Sequence, residues 1–487
     1  MLLLPGRARA EEWLRADSDH LVVFSNAGRT AITTFADQIE TYDAFLRAYL
    51  GVPPGGPRQQ KLRVYLLAHG SDVKVLWPSS GTVAGFYDHS ADEPFLVVTY
   101  QRPRIKTDAN KDEVKADGTA YHEYTHFFQQ AHFPSGYPGW VIEGYAQFLQ
   151  TIRVENGSVV LGHSSPGLVW FAQQAWLPWD KVLRGSTGTI ARDEWFPFYG
   201  QAWVLTHYMM SDPTRAAAFN RYLVAVSQGG DPVTSLTAAL GVDLPTLSRQ
   251  LQQYYRDVLR VQRIGWRMPT PPTVTVTPLS PAEAALILPD ARSRYFVRDN
   301  DKADFVAKLR AAAAPFGSDR FALLAAARAD AKYGDAKRAE ATLAPLLAAH
   351  PDDADALLLR ARARLRQADE SKDPAAADAY RRAAAGDLDA ALAAGSTDPL
   401  TYYYAATVRE HQPDYPTRTD IAYLGKALQL EPQSQEIRLS TADALLKVKR
   451  RAEAMLLLQP LLNDPHDDDA RKSATKLLER YPETTAR

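Results

Sequence analysis

The chain contains no cysteine. That absence removes disulfides, iron–sulfur clusters, thiolate zinc sites and cysteine nucleophiles. Any transition metal held here must therefore sit among His, Asp and Glu. An excess of charge of either sign is also lacking. The 56 Lys+Arg and 57 Asp+Glu leave a formal net charge of −1. A nucleic-acid or anionic-membrane binder would carry a basic footprint, so neither partner is expected. No run reaches the ~18 apolar residues that a membrane span needs. There is no P-loop, and no G-x-G-x-x-G follows a strand.

What is present is a globular composition, 46% hydrophobic and 23% charged. At 487 residues the chain is too long for one typical core, so two to four domains are expected. The opening "MLLLPGRARA" resembles the end of a secretory signal peptide, although its basic start and most of its apolar stretch are missing. On that remnant an exported location is favoured over the cytoplasm.

Residues 20–260 read as mixed α and β. "HLVVFS" (20–25), "KLRVYLLA" (61–68) and "PFLVVTY" (94–100) are apolar runs suited to strands. The last is expected at the sheet edge, where a peptide can pair. Helical spacing marks 27–51, with Gly51 as its stop. "RVENGSVVLG" (153–162) is a hairpin candidate because Asn156-Gly157 suits a type I′ turn. Helices are expected over 195–211, 214–227, 232–240 and 243–262. The five prolines of 266–283 predict a linker.

Beyond the linker the chain turns alanine-rich and helical. Pro351, Pro432 and Pro465 close helices in equivalent places, and the last two are 33 residues apart. With Gly334 at a turn and Ala339 at a small packing position, 316–487 resembles an irregular tetratricopeptide array of three to four helix pairs. The stretch 366–400 breaks the period and requires an insertion or a longer helix.

The chemistry gathers in "GTAYHEYTHFFQQ" (118–130). His122 and His126 are four apart, so a helix presents both on one face, with Glu123 beside it. With 11 His and 57 Asp+Glu in the chain, roughly 0.03 such His-acid-x-x-His windows are expected by chance. Two such imidazoles are two of the three protein ligands a catalytic zinc needs. The glutamate is then placed to act as base for a water.

Further on lies "GWVIEGYAQFL", with Glu143 seventeen residues past His126 and a Pro/Gly-rich turn between. This stretch resembles the W-x-x-E-G-x-A segment of gluzincin metallopeptidases, including the aminopeptidase N family. Trp140, Glu143, Gly144 and Ala146 match it in position. The resemblance implies that Glu143 is the third zinc ligand. "FPFYGQAWVLTHYMM" (196–210) resembles a later family segment, which implies that Tyr199 donates to the oxyanion. The whole resembles peptidase MA-like bacterial domains joined to tetratricopeptide repeats. Two family features are missing. No methionine precedes Glu-Asn, so nothing supports aminopeptidase specificity, and position 147 is Gln where a thermolysin-like pattern has Asp.

The expected fold class is α+β: a gluzincin-type zinc peptidase domain (small mixed sheet plus helices) followed by an all-α tetratricopeptide-like superhelix. The expected boundaries are an N-terminal, signal-like segment 1–19, the peptidase domain 20–265, a linker with first helices 266–315, and the repeats 316–487. The expected site is one Zn2+ on His122, His126 and Glu143, with Glu123 and Tyr199 catalytic. His207 and Glu194, with Asp193 beside it, are candidates for supporting the ligands. Tryptophans 170, 176, 179 and 195 are expected to pack the helices, some of them forming a substrate wall. The expected partners are a peptide or protein substrate and a protein bound by the repeats. The alternative function is an adaptor whose peptidase-like domain is inactive or structural.

Overall fold

The computed structural model describes residues 12–53, 60–77, 85–88, 92–100, 118–134, 136–155, 157–185, 189–257, 259–295, 297–462 and 468–482. In chain order the elements begin β1 (Leu14–Asp17), β2 (Leu21–Ser25), α1 (Arg29–Leu50), β3 (Leu62–Leu67), α2 (Gly70–Leu76), β4 (Gly85–Asp88) and β5 (Phe95–Thr99). Then come α3 (Gly118–His132), α4 (Gly139–Leu149), β6 (Arg153–Glu155), β7 (Ser158–Leu161), α5 (Pro166–Ala172), α6 (Trp179–Arg184) and α7 (Trp195–Met210). α8 (Pro213–Ser227), α9 (Pro232–Leu240), α10 (Leu244–Arg256), β8 (Gln262–Gly265), β9 (Thr275–Pro278), α11 (Pro281–Arg294) and α12 (Lys302–Ala313) follow. The rest is helical: α13 (Arg320–Tyr333), α14 (Ala336–Ala349), α15 (Ala354–Glu370), α16 (Pro374–Ala393), α17 (Pro399–Thr407), α18 (Arg418–Leu430), α19 (Gln435–Lys447), α20 (Arg451–Leu462) and α21 (Asp468–Arg480). The fold is mixed α and β, mostly helical, with a small sheet.

Two compact units form. The first draws on Met1–Thr41, Gln59–Lys115 and Pro272–Gln412, the second on Tyr42–Arg58, Ala116–Pro271 and Pro413–Arg487. The first holds a sheet in the order β4-β5-β3-β2-β1-β9. β2, β3 and β5 are parallel, while β4 and β1 run against their neighbours. Val23, Val64 and Leu96 share one face in register, and Phe24, Tyr65 and Val97 share the other. All six are buried. Burial on both faces explains why these strands read as unbroken apolar runs. The second of those faces packs on Ile287, Leu288 and Ala291 of α11.

Three expectations change here. β5 is not the edge, because β4 pairs along its outer side. The segment 1–19 does not stand outside the domain: β1 lies in the sheet, with Leu14 and Ala16 fully buried. "MLLLPGRARA" lies outside the described residues. The proline-rich 266–283 is not only a linker, since Thr275–Pro278 pairs with β1. Proline is tolerated on an edge strand, whose outer side needs no ladder bond, and the intervening "TVTV" has strand chemistry.

α13 to α16 follow in the same unit and share a core. Alanines at 327, 331, 339, 356 and 363 let them approach closely around Leu343, Leu347 and Leu357. Asp319, Asp335, Asp353 and Asp373 cap four successive helices by accepting backbone N–H bonds. The period fails over 366–400 because α15 and α16 run to 17 and 20 residues. The helices expected as one array are shared between the units: α13–α17 lie in the first and α18–α21 in the second. α19–α21 close their own core of Leu445, Leu446, Leu458 and Leu477.

The second unit also contains α3, α4 and a sheet in the order β6-β7-β8. Gly157, at φ +76, supplies the left-handed turn residue of the β6–β7 hairpin; Asn156 lies outside the described residues. The helix expected over 243–262 ends at Arg256, and Gln262–Gly265 pairs instead with β7. No described helix is long and apolar enough to cross a membrane.

Candidate metal centre

α3 carries two stripes. Ala120, Tyr124, Phe127, Phe128 and Ala131 are buried at helical spacing. His122 and His126 occupy the other face, with side chains 15% and 14% exposed. The residues between the two histidines fix the helix from behind. Thr125 donates to the Tyr121 carbonyl at 2.7 Å, so the Tyr42 hydroxyl, 2.7 Å away, donates to Thr125 Oγ1. The Tyr124 hydroxyl donates to Asp43 Oδ1 at 2.8 Å, and Arg47 donates to the same carboxylate. Two adjacent residues of α1 thus grip two adjacent residues of α3.

α4 is apolar almost throughout and buried, and Glu143 is its one carboxylate, 6% exposed. Glu143 Oε2 lies 3.4 Å from His122 Nε2 and 3.7 Å from His126 Nε2. The two imidazole nitrogens are 3.1 Å apart. Tetrahedral coordination at roughly 2.0–2.1 Å sets neighbouring donors about 3.3–3.4 Å apart, and the three separations bracket that value. Two imidazoles and one carboxylate suit a borderline-soft divalent ion. Among the described residues this is the one group of three or more His, Asp or Glu that could hold a metal.

The electrostatics are those of a partly desolvated acidic pocket. Burial pulls His122 toward neutrality, but hydrogen bonding to Glu143 and the charges of Glu123 and Glu143 outweigh it and raise its pKa. Tyr199, on the second turn of α7, is held protonated by burial and then by the negative charges of Glu143 and Glu123. The phenol therefore feels the carboxylates of both motif segments.

α7 reaches this place because Gly144 has no side chain. A Cβ there would meet the Ala202 carbonyl oxygen at 2.7 Å and collide with the Thr206 hydroxyl. The glycine that follows Glu143 thus seats the helix that carries Tyr199.

No protein-family model and no curated protein matches the chain. A solved structure of a thermophilic TPR (tetratricopeptide-repeat) protein from Thermus thermophilus is similar over 41% of this chain and 99% of its own, at 21% identity and a TM-score of 0.35.

Two other candidates have partners elsewhere. His207 is 1% exposed, bonded to the Tyr254 hydroxyl at 2.6 Å and the Gly162 carbonyl at 3.0 Å, and burial lowers its pKa. It packs α7 and serves no member of the ligand group through these bonds. Glu194 accepts from Lys181 at 2.6 Å, and Asp193 is exposed. The supporting residues that sequence reasoning missed are Tyr42 and Asp43. Both polar groups sit on the buried stripe of an amphipathic helix, and that misplacement was the available signal.

Proposed function

We propose that the second unit is a zinc-dependent peptidase. The observation that supports this most is the spacing of the His122, His126 and Glu143 donor atoms, 3.1–3.7 Å apart, with Glu123 next in chain to the first of them. Zinc, when bound by these three side chains, supplies Lewis-acid polarisation of a water and of the substrate carbonyl. The remaining work falls to the protein. Glu123 takes a proton from the attacking water as its oxygen bonds to the carbonyl carbon. It passes that proton to the nitrogen as the C–N bond breaks. Tyr199, kept protonated by burial and two carboxylates, donates its O–H to the oxygen on which negative charge develops.

A second reading has its own support. α13 to α16 pack around a shared core as successive helix pairs, and stacked helix pairs of this kind can offer a protein-binding surface. The 3.1 Å His122–His126 contact is also within hydrogen-bond reach. An adaptor with an idle, self-bonded triad would fit both facts. Metal content and cleavage of a mixed peptide library separate the two. The peptidase binds one zinc per chain when purified without chelator and cuts the library; the adaptor leaves the library uncut, whether its metal is kept for structure or lost.

A further inference from the structure

Among the described residues, seven large apolar side chains of the second unit are exposed, and Trp170 of α5 and Phe196 of α7 are the two aromatic rings among them, with 48% and 46% of their surface in solvent. These rings are contiguous. Trp170 and Phe196 meet at 5.1 Å between centroids, Phe196 stacks on Phe171 at 5.2 Å, and Phe171 stands 6.4 Å from Tyr199. One aromatic surface therefore runs from the proposed oxyanion donor out into solvent. The other tryptophans of this region behave differently. The Trp176 indole donates to the Ala172 carbonyl at 2.9 Å, the Trp195 indole donates to the Ile190 carbonyl at 3.2 Å, and Trp179 is 5% exposed. Those three pack helices. A connected, exposed apolar patch next to a polar site marks a binding surface.

The patch is also rigid. At Gly200 a Cβ would stand 2.5 Å from the Phe171 carbonyl carbon, so α5 and α7 touch through their backbones. Ser165 caps α5 by accepting from the Leu168 N–H at 3.2 Å. Rings held this way lose little freedom on binding, which favours them as anchors.

We propose that Trp170, Phe171 and Phe196 form a substrate subsite for a large apolar side chain, aromatic above all, carried by a peptide whose scissile bond lies at Tyr199. It rests on the peptidase reading of His122, His126 and Glu143. Ring-to-ring steps of 6.4 Å to Phe171 and 5.6 Å on to Trp170 put the far ring no more than about 12 Å from Tyr199. An extended peptide advances ~3.3 Å per residue, so the subsite meets side chains within roughly three or four residues of the cut.

The test uses the full-length, zinc-loaded Glu123→Gln protein, which cannot turn substrate over, titrated with two blocked peptides, Ala-Ala-Phe-Ala and Ala-Ala-Ser-Ala. The phenylalanine peptide should bind at least tenfold more tightly. Trp170→Ala with Phe196→Ala should abolish that preference while leaving zinc content and melting temperature unchanged, and Trp170→Phe should keep it. Equal affinity for the two peptides, no binding of either, or a preference that survives the double alanine variant overturns the proposal. So does a dimer that the double variant dissolves, which would assign the patch to a second copy of the chain. Selective binding of the phenylalanine peptide without cleavage by the wild type keeps the subsite and overturns the peptidase reading alone.

Discussion

The Tyr42 hydroxyl lies 2.7 Å from Thr125 Oγ1, one residue before His126. The neighbouring pair, Asp43 and Tyr124, is bonded at 2.8 Å. α1 therefore sets the rotation of α3, and with it the direction of His122 and His126. Tyr42→Phe removes one buried hydrogen bond and should cost about 1 kcal/mol of stability. Asp43→Ala removes an acceptor shared by Arg47 and the Tyr124 hydroxyl and should cost more, about 1–3 kcal/mol. Chemical denaturation measures both. The zinc dissociation constant should weaken in step, because orienting groups behind metal ligands tune affinity.

Gly144→Ala tests the seat of α7. The added methyl meets the Ala202 carbonyl at 2.7 Å, and overpacking of this kind costs about 1–3 kcal/mol. Zinc should still bind, since its three proposed ligands lie on α3 and α4, but hydrolysis should fall as Tyr199 shifts. Gly386→Ala on α16 and Gly425→Ala on α18 are the controls. A Cβ at either meets nothing within 4 Å, so each should stabilise its helix by about 0.5–1 kcal/mol.

Metal should stabilise the fold in proportion to its binding. At a hundredfold excess over the dissociation constant, zinc adds about 2.7 kcal/mol to a state that alone binds it. The wild type should melt at a higher temperature with zinc and return to its lower value with a chelator. His126→Ala and Glu143→Ala should show little zinc-dependent shift.

Asp92 gives the pH prediction. Burial raises its pKa, but Arg362, at 2.7 Å, and Lys332 more than offset this and hold it at about 2. The folded value is below the ordinary 3.8, so the stabilisation is fully present above pH 3.8 and is lost as pH falls toward 2. It amounts to about 2 kcal/mol. Asp92→Asn should therefore lower stability at pH 6, and the gap from the wild type should narrow steadily between pH 4 and 2.5.

Much of this was legible in sequence because it lay in local patterns. The i, i+4 histidines needed a helix to share a face, and α3 supplies it. β2, β3 and β5 declared themselves by apolar runs that two buried faces require. What stayed hidden depends on partners distant in the chain. β1 and β9 are four-residue strands that exist because β1 pairs with β2 and β9 pairs with β1, and neither is apolar enough to stand out. Asp43 stands out as a carboxylate on the apolar stripe of α1, but its partner Tyr124 lies 81 residues on and cannot be read from that stripe. Nor did spacing separate Trp170 from Trp176 or Trp195, because exposure is a property of the packed helices.

The central claim is that Glu123 is the base of a zinc peptidase. The most direct measurement compares zinc content and peptide hydrolysis of the wild type and Glu123→Gln, both purified without chelator. One zinc per chain in each, with hydrolysis lowered by roughly 10²–10⁴-fold in the variant, is the predicted result. Turnover retained at the wild-type rate in Glu123→Gln, or no stoichiometric zinc in either protein, would contradict it.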